Sequence, residues 1–236
     1  MKILAFETSA KSASVAVLEN GQLLASAYQC TGLTHSRTLM PMLEAMLKNS
    51  ELALQDMDAL AVAAGPGSFT GLRIGVSAVK GLAFAEGKPC CAVSTLEAMA
   101  APLRHLEGSL IICAMDARRQ QVYNALFTVK DGTLLRECPD RAIALAEVAE
   151  EIRKTEKFRT MRKIIVGDGA ELCYDYLSGS GIDCEKAPAM LLRQSAVGVA
   201  LAAESAEQIS AAALCPVYLR ISQAERERNA RLAKES

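Results

Sequence analysis

The sequence is short of the side chains from which most catalytic machinery is built. It holds two histidines, His35 and His105, seventy positions apart. Neither has a second ligand near it in sequence, which argues against a histidine metal site. No Gly-x-Ser-x-Gly turn is present, so a serine or cysteine triad would have to recruit one of these two imidazoles. The eight cysteines include no Cys-x-x-Cys pair and fall mostly within apolar segments; they read as buried thiols of a reducing compartment. Cys90 and Cys91 open a predicted strand, which sets their side chains on opposite faces; a redox pair is the alternative. No apolar run approaches the ~18 residues that suggest a membrane span, and Glu7 falls where a signal peptide needs unbroken apolar character. A soluble, cytoplasmic protein is expected. A formal net charge of −1 offers no overall attraction to a polyanion. The best local basic cluster, Arg153, Lys154, Lys157, Arg159, Arg162 and Lys163, is interleaved with Glu150, Glu151 and Glu156 and reads as a solvated helix end and loop.

What the chain does have is organised around Gly65-Pro66-Gly67-Ser68-Phe69-Thr70-Gly71-Leu72-Arg73, set between an apolar run and a helix of small residues. The stretch reads as strand, tight turn and helix start, with Thr70 or Ser68 as the cap. Gly65, Gly67 and Gly71 allow sharp turning and close backbone approach. Free amides at such a helix start make an anion or nucleotide site, to which Ser68, Thr70 and Arg73 would contribute. A packing turn that binds nothing is the other reading. The spacing is neither the dinucleotide fingerprint nor a P-loop, because no Gly-Lys-Ser/Thr closes it.

Residues 2–6, 12–18 and 22–29 read as a three-stranded meander, with Asn20-Gly21 as a hairpin turn. A second meander begins near Leu110, with Asp116-Ala117-Arg118 at its first turn and Asp131-Gly132 at its second. Glu7 to Gly21 is fourteen residues and Asp116 to Gly132 is sixteen. Each meander is followed by a helix and a strand ending in a glycine turn, Gly65-Pro66-Gly67 and then Gly167-Asp168-Gly169. The fold class is therefore α/β, a duplicated βββαβα unit in two lobes. The lobes are expected over 1–104 and 105–221, with a polar, flexible tail over 222–236. Helices are expected over 142–154 and 194–206, and 216–220 as a last extended piece. Glu7 and Asp116 are expected to face a central cleft, as Mg²⁺ ligands or as an acid/base pair.

Two first-lobe helices carry more apolar surface than one face needs. Over 34–49, Leu39, Met42, Leu43, Met46 and Leu47 form a stripe, and Met40 and Pro41 widen it. Pro41 either kinks this helix or marks its first turn, with Thr38 as the cap. The helix over 71–85 mixes Leu72, Val76 and Val79 with Gly71, Gly75 and Gly81. Each glycine disfavours a helix by roughly 1 kcal/mol relative to alanine, so something is expected to pack close to its backbone. That is either a neighbour in the same lobe or a partner protein.

The motifs Ile-Leu-Ala-Phe-Glu-Thr-Ser at 3–9, Gly-Pro-Gly-Ser-Phe-Thr-Gly-Leu-Arg-Ile-Gly at 65–75, Val-Ser-Thr-Leu-Glu at 93–97, Asp-Ala-Arg-Arg-Gln-Gln-Val-Tyr at 116–123 and Pro-Val-Tyr-Leu-Arg at 216–220 resemble the TsaB (YeaZ) family. The resemblance spans nearly the whole chain and is loose over 138–215. It implies the ASKHA fold of actin-like ATPases and sugar kinases. It also implies a role in threonylcarbamoyl modification of adenosine 37 in tRNA, as a non-catalytic partner of the enzyme TsaD, with the ATPase TsaE joining. TsaD relatives carry a His-Met-Glu-Gly-His-like segment that holds the catalytic metal. The matching residues here are Thr95-Leu96-Glu97-Ala98-Met99. A hydroxyl and a thioether do not replace two imidazoles, so an intrinsic metal is not expected and a glycoprotease-like activity is disfavoured. The resemblance further implies pairing with TsaD, or with a second copy in its absence, through the first-lobe helices. The residues expected there are Leu39, Met42, Leu43, Met46, Leu72, Gly75, Val76 and Val79. No cofactor is expected to be intrinsic; ATP or ADP is considered at the partner interface, and tRNA is expected only through the complex.

A second function class stays open at this point: an ASKHA phosphotransferase for a small metabolite, using Glu7 and Asp116 with Mg²⁺ and the two glycine turns as phosphate clamps.

Overall fold

The computed structural model describes residues 1–118 and 120–220. The tail expected over 222–236 lies outside them. The first meander is β1 (Lys2–Glu7), β2 (Ala13–Glu19) and β3 (Gln22–Gln29), all antiparallel, followed by α1 (His35–Asn49), β4 (Ala59–Gly65), α2 (Phe69–Glu86) and β5 (Cys90–Ser94). β4 runs parallel to β1 and β5 parallel to β4. A short helix, α3 (Thr95–Ala100), leads into the second meander, β6 (Ser109–Asp116), β7 (Gln121–Lys130) and β8 (Thr133–Arg136). There follow β9 (Arg141–Ala144), α4 (Leu145–Lys154), α5 (Glu156–Thr160), β10 (Arg162–Val166), α6 (Ala170–Gly179), β11 (Glu185–Lys186), α7 (Ala196–Ala203) and β12 (Gln208–Ile209). The first sheet has the order β12-β5-β4-β1-β2-β3 and the second β11-β10-β6-β7-β8. This is the duplicated α/β unit, with one sheet per repeat, that the sequence predicts.

The central strands β1, β2, β4 and β6 are apolar at nearly every position because they are covered on both faces. In the first sheet, Leu4, Phe6, Val15, Val17, Leu60 and Val62 pack under α1 and α2. The alternate residues Ile3, Ala5, Ala16, Ala61 and Val93 pack under α7. Cys90 joins the first group and Cys91 the second, on opposite faces as expected. In the second sheet, α4 and α6 cover one face, and Leu96 and Met99 of α3 cover the other. α3 and α7 thus fill the seam between the sheets. They cross so closely that a Cβ on Gly198 of α7 would overlap the carbonyl oxygen of Ala98. An alanine-rich α7 is what that crossing demands.

Three expectations need correction. The helix expected over 142–154 begins at Leu145, because residues 141–144 are drawn into β9 along the free edge of β7, from Gln121↔Ala144 to Asn124↔Arg141. Residues 194–206 contain a shorter helix, Ala196–Ala203, capped by Ser195. The lobes do not divide at 104/105, since α7 covers the first sheet and β12 pairs with β5 on its edge. α1 begins at His35 with Thr34 in the N-cap position, so Pro41 lies inside the helix. Pro41 is on the exposed side, where water can serve the carbonyl it leaves unpaired. Among the described residues no helix is long and apolar enough to cross a membrane.

Candidate functional site

A cleft of about 530 Å³ opens between the lobes. Its walls are the first turns of the two meanders, Ser9 to Lys11 and Met115 to Arg118, with the start of α2 at Gly67 to Thr70. Asp168 from the second glycine turn, Tyr123, and residues 217–220 complete it.

The two meander turns are built alike. A Glu7 oxygen accepts the amide of Ser9, and Asp116 Oδ1 accepts the amide of Arg118 at 2.7 Å. Each carboxylate closes a turn two residues on, the local bond that makes acidic side chains favour turns. In the second turn it holds Arg118 at φ 64, a conformation uncommon outside glycine. Lys11 and Arg118 are thereby brought to the cleft wall from opposite lobes.

The carboxylates themselves are not equivalent. Asp116 is exposed and lines the cleft, whereas Glu7 is 0% exposed and forms no part of the wall. Its second oxygen has no hydrogen-bond partner among the described residues. Burial pushes the Glu7 carboxyl up to about 7, against the stabilising effect of Ser9 and with a further push from the charge of Asp168. The expected facing pair, Glu7 and Asp116, is thus corrected: the carboxylate that shares the cleft with Asp116 is Asp168. Asp168 accepts a bond from Gln194 Nε2 at 3.0 Å, and its pKa is raised by burial and by Asp116. Its place inside the second glycine turn was the available signal. Among the described residues no group of three His, Cys, Asp or Glu side chains converges as a metal site.

The glycines of the first turn are used by the protein's own backbone. A Cβ on Gly65 would overlap the carbonyl oxygen of Val217, one on Gly67 would lie 2.6 Å from that of Ser9, and one on Gly71 would overlap that of Thr8. At Gly75 the obstacle is the Thr8 hydroxyl. Several amides are spent as well: Ser68 N donates to Ser9 O at 2.6 Å and Gly71 N to Ser68 Oγ at 3.3 Å. What packs against α2 is therefore the β1–β2 turn, and Ser68 rather than Thr70 is the cap. Ser68 and Thr70 remain exposed on the cleft wall. Arg73 sits with its guanidinium 3.9 Å from the Phe69 ring centroid and donates from Nε to Tyr218 Oη at 3.0 Å.

The residues expected to meet a partner are mostly committed elsewhere. Leu39, Leu43, Met46, Leu72, Gly75, Val76 and Val79 are buried in their own lobe, and Met42 alone of the eight is half-exposed. Burying a leucine or valine is worth ~1.5–3 kcal/mol, so exposing this set to a partner would cost far more than a docking face returns. The outward face of the two helices is a different set. It carries Met40 at 43% and Phe84 at 64% exposure, with Ser77, Gly81 and Ala85 spaced four apart. Apart from the adjoining residues and backbone of α2 itself, no described atom lies within 4 Å of a Cβ placed on Gly81.

Other sequence candidates have local partners. His35 Nε2 pairs with Ala10 O at 2.7 Å and His105 Nδ1 with Pro102 O at 3.1 Å. In the basic cluster, Lys154 pairs with Glu150, Lys157 with Glu137 and Arg162 with Glu185. Lys163 bonds the carbonyls of Arg159 and Met161. Thr95 and Met99 are both buried at the seam, with Met99 Sδ beside Gly167.

A family model described as TsaD, tRNA N6-adenosine threonylcarbamoyltransferase, matches residues 29–228. The tRNA threonylcarbamoyladenosine biosynthesis protein TsaB of Bacillus subtilis is 39% identical over 157 residues, 66% of this chain and 68% of that protein. The TsaB protein of Haemophilus influenzae is 39% identical over 124 residues, about half of either chain (52%). The solved structure of YeaZ from Pseudomonas aeruginosa superposes with a TM-score of 0.77 at 29% identity, covering 92% of this chain and 99% of that one. With TsaB relatives at 39% identity along its sequence and the YeaZ fold over nearly its whole length, the chain belongs to the TsaB (YeaZ) family.

Proposed function

We propose that this chain is a non-catalytic subunit in the synthesis of threonylcarbamoyladenosine at position 37 of tRNA, acting in the cytoplasm by docking on TsaD. The names of its relatives support the pathway. The reading that it is not itself the transferase rests on Thr95 and Met99, which the family resemblance sets against the metal-binding histidines of TsaD and which are buried at the seam. Neither is a ligand for the metal those imidazoles hold.

The observation that carries the docking reading is the outward face of α1 and α2. Phe84 of α2 and Met40 of α1 are exposed apolar side chains, Met42 is half-exposed, and the Ser77, Gly81 and Ala85 row lets another helix approach closely. TsaD is proposed as the occupant, a second copy as its substitute when TsaD is absent, and TsaE as a later addition. ATP or ADP would lie at the TsaD interface near Arg73, and tRNA would be held by the whole complex. The phosphotransferase reading is weaker, because Glu7, one of its two carboxylates, is walled off from the cleft.

The test is light scattering of this chain mixed with TsaD on a size-exclusion column, using wild type and the Phe84→Glu and Met42→Glu variants. A species at the summed mass with wild type, and at least tenfold weaker association by each variant at unchanged melting temperature, is expected. Variants that bind TsaD as wild type does would overturn the assignment of this face.

A further inference from the structure

Residues 216–220 follow a firmly held segment. Lys80 Nζ of α2 bonds the carbonyls of Ala212 and Leu214 at 3.2 and 3.1 Å, and Leu214 is fully buried under α2. Beyond it the chain crosses the mouth of the cleft. On the first lobe, Val217 N donates to Ala64 O at 2.7 Å, and Val217 O lies against Gly65, where any Cβ would displace it. Tyr218 stacks on Phe69 with ring centroids 4.5 Å apart, and Arg73 donates to its hydroxyl. On the second lobe, Arg220 Nη1 donates to the carbonyl of Ala117 at 2.6 Å, in the turn that carries Asp116 and Arg118. Its guanidinium also lies 5.9 Å from the Tyr123 ring centroid.

We propose that residues 216–220 form a latch that holds the two lobes together at the mouth of the cleft, anchored by Tyr218 on the first lobe and engaged by Arg220 on the second. The deep seam is closed by α3 and α7, which pack as core and stay closed. At the mouth, among the described residues, apolar packing across the lobes is limited to Ala10 of the first turn against the second core. Val217 and Tyr218 are 53% and 37% exposed, and among the described residues the segment's hold on the second lobe is one charge-assisted bond with an aromatic neighbour. Contacts so few and so exposed open at low local free energy while the core stays folded. Opening lets the walls formed by Ser9 to Lys11, Gly67 to Thr70 and Met115 to Arg118 move apart, so the width of the cleft is set by the latch. The inference is independent of how the outward face of α2 is used, and it is tested on the free chain.

Hydrogen exchange of the full-length protein reads it directly. In Arg220→Ala and in Tyr218→Ala, peptides over 8–11, 67–70 and 115–123 are expected to exchange at least fivefold faster than in wild type. The strand peptides 2–6 and 110–114 are expected to keep their protection. Arg220→Lys, which retains a cationic donor, is expected to stay within twofold of wild type at the cleft. Unchanged exchange at 115–123 in Arg220→Ala would overturn the latch. So would acceleration of the cleft and strand peptides together, which is the signature of general destabilisation.

Discussion

The Thr8 hydroxyl donates to the carbonyl of Gly71 at 2.8 Å, joining the first β-turn to the start of α2 across 63 positions of sequence. One helical turn on, the same hydroxyl occupies the space that a Cβ on Gly75 would need. Thr8 is fully buried, so the pair fixes how closely α2 can approach the end of β1. Glycine in α2 is therefore two things at once: a steric requirement on the inward face and a loss of helix propensity on the outward one.

Gly75→Ala is expected to destabilise the protein by about 1–3 kcal/mol, because Thr8 and Val62 must shift to admit the methyl group. Gly81→Ala, in the same helix with open space around it, is expected to stabilise by roughly 0.5–1 kcal/mol. Urea unfolding of the two variants checks the contrast, and equal effects would sink it. A bulky residue at Gly75 would damage the fold before it tested any interface.

Glu7 sets a pH dependence. Its carboxyl has an ordinary value of 4.5 in the unfolded chain and is raised to about 7 by burial, so the native state binds the extra proton between those values. Stability from this group is full below pH 4.5 and is lost as pH rises towards 7, by roughly 3 kcal/mol in all. Glu7→Gln keeps a neutral side chain at every pH. Unfolding free energies at pH 5 and pH 8 are expected to fall less in the variant than in wild type. Identical falls would show that Glu7 is not the titrating group.

The elements legible in the sequence were those whose burial leaves a local trace. Strands covered on both faces read as continuous apolar runs, and Asn20-Gly21 announced its turn, with φ of 51° and 79° in the structure. Burial by a distant element leaves no such trace. α7 has the same alanine-rich sequence whichever sheet it covers, so its return to the first lobe could not be read. The Ala-Ile-Ala of β9 suits a helix until the open edge of β7 claims it. The apolar stripe of α1 marks a face that must be buried, and its own sheet satisfies that need first. The outward face, with Phe84 beyond the Ser77, Gly81 and Ala85 row, has no apolar periodicity to mark it. Glu7 and Asp116 were legible as equivalent turn residues, but the depth at which each lies is a property of the closed lobes.

Thr95 carries the last prediction. Its hydroxyl is fully buried at the start of α3 and has no hydrogen-bond partner among the described residues, while the helix is already capped by Ser94, which accepts from Glu97 N at 3.2 Å. An unpaired buried hydroxyl costs free energy that a methyl group of the same shape does not. Thr95→Val is therefore expected to raise stability by up to about 1 kcal/mol. If the chain serves TsaD without chemistry of its own at this position, tRNA modification by the reconstituted system should stay within twofold of wild type. A melting temperature that rises while modification collapses would assign Thr95 a part in the reaction and defeat the non-catalytic reading. A fall in both would instead show that the hydroxyl is satisfied within the fold.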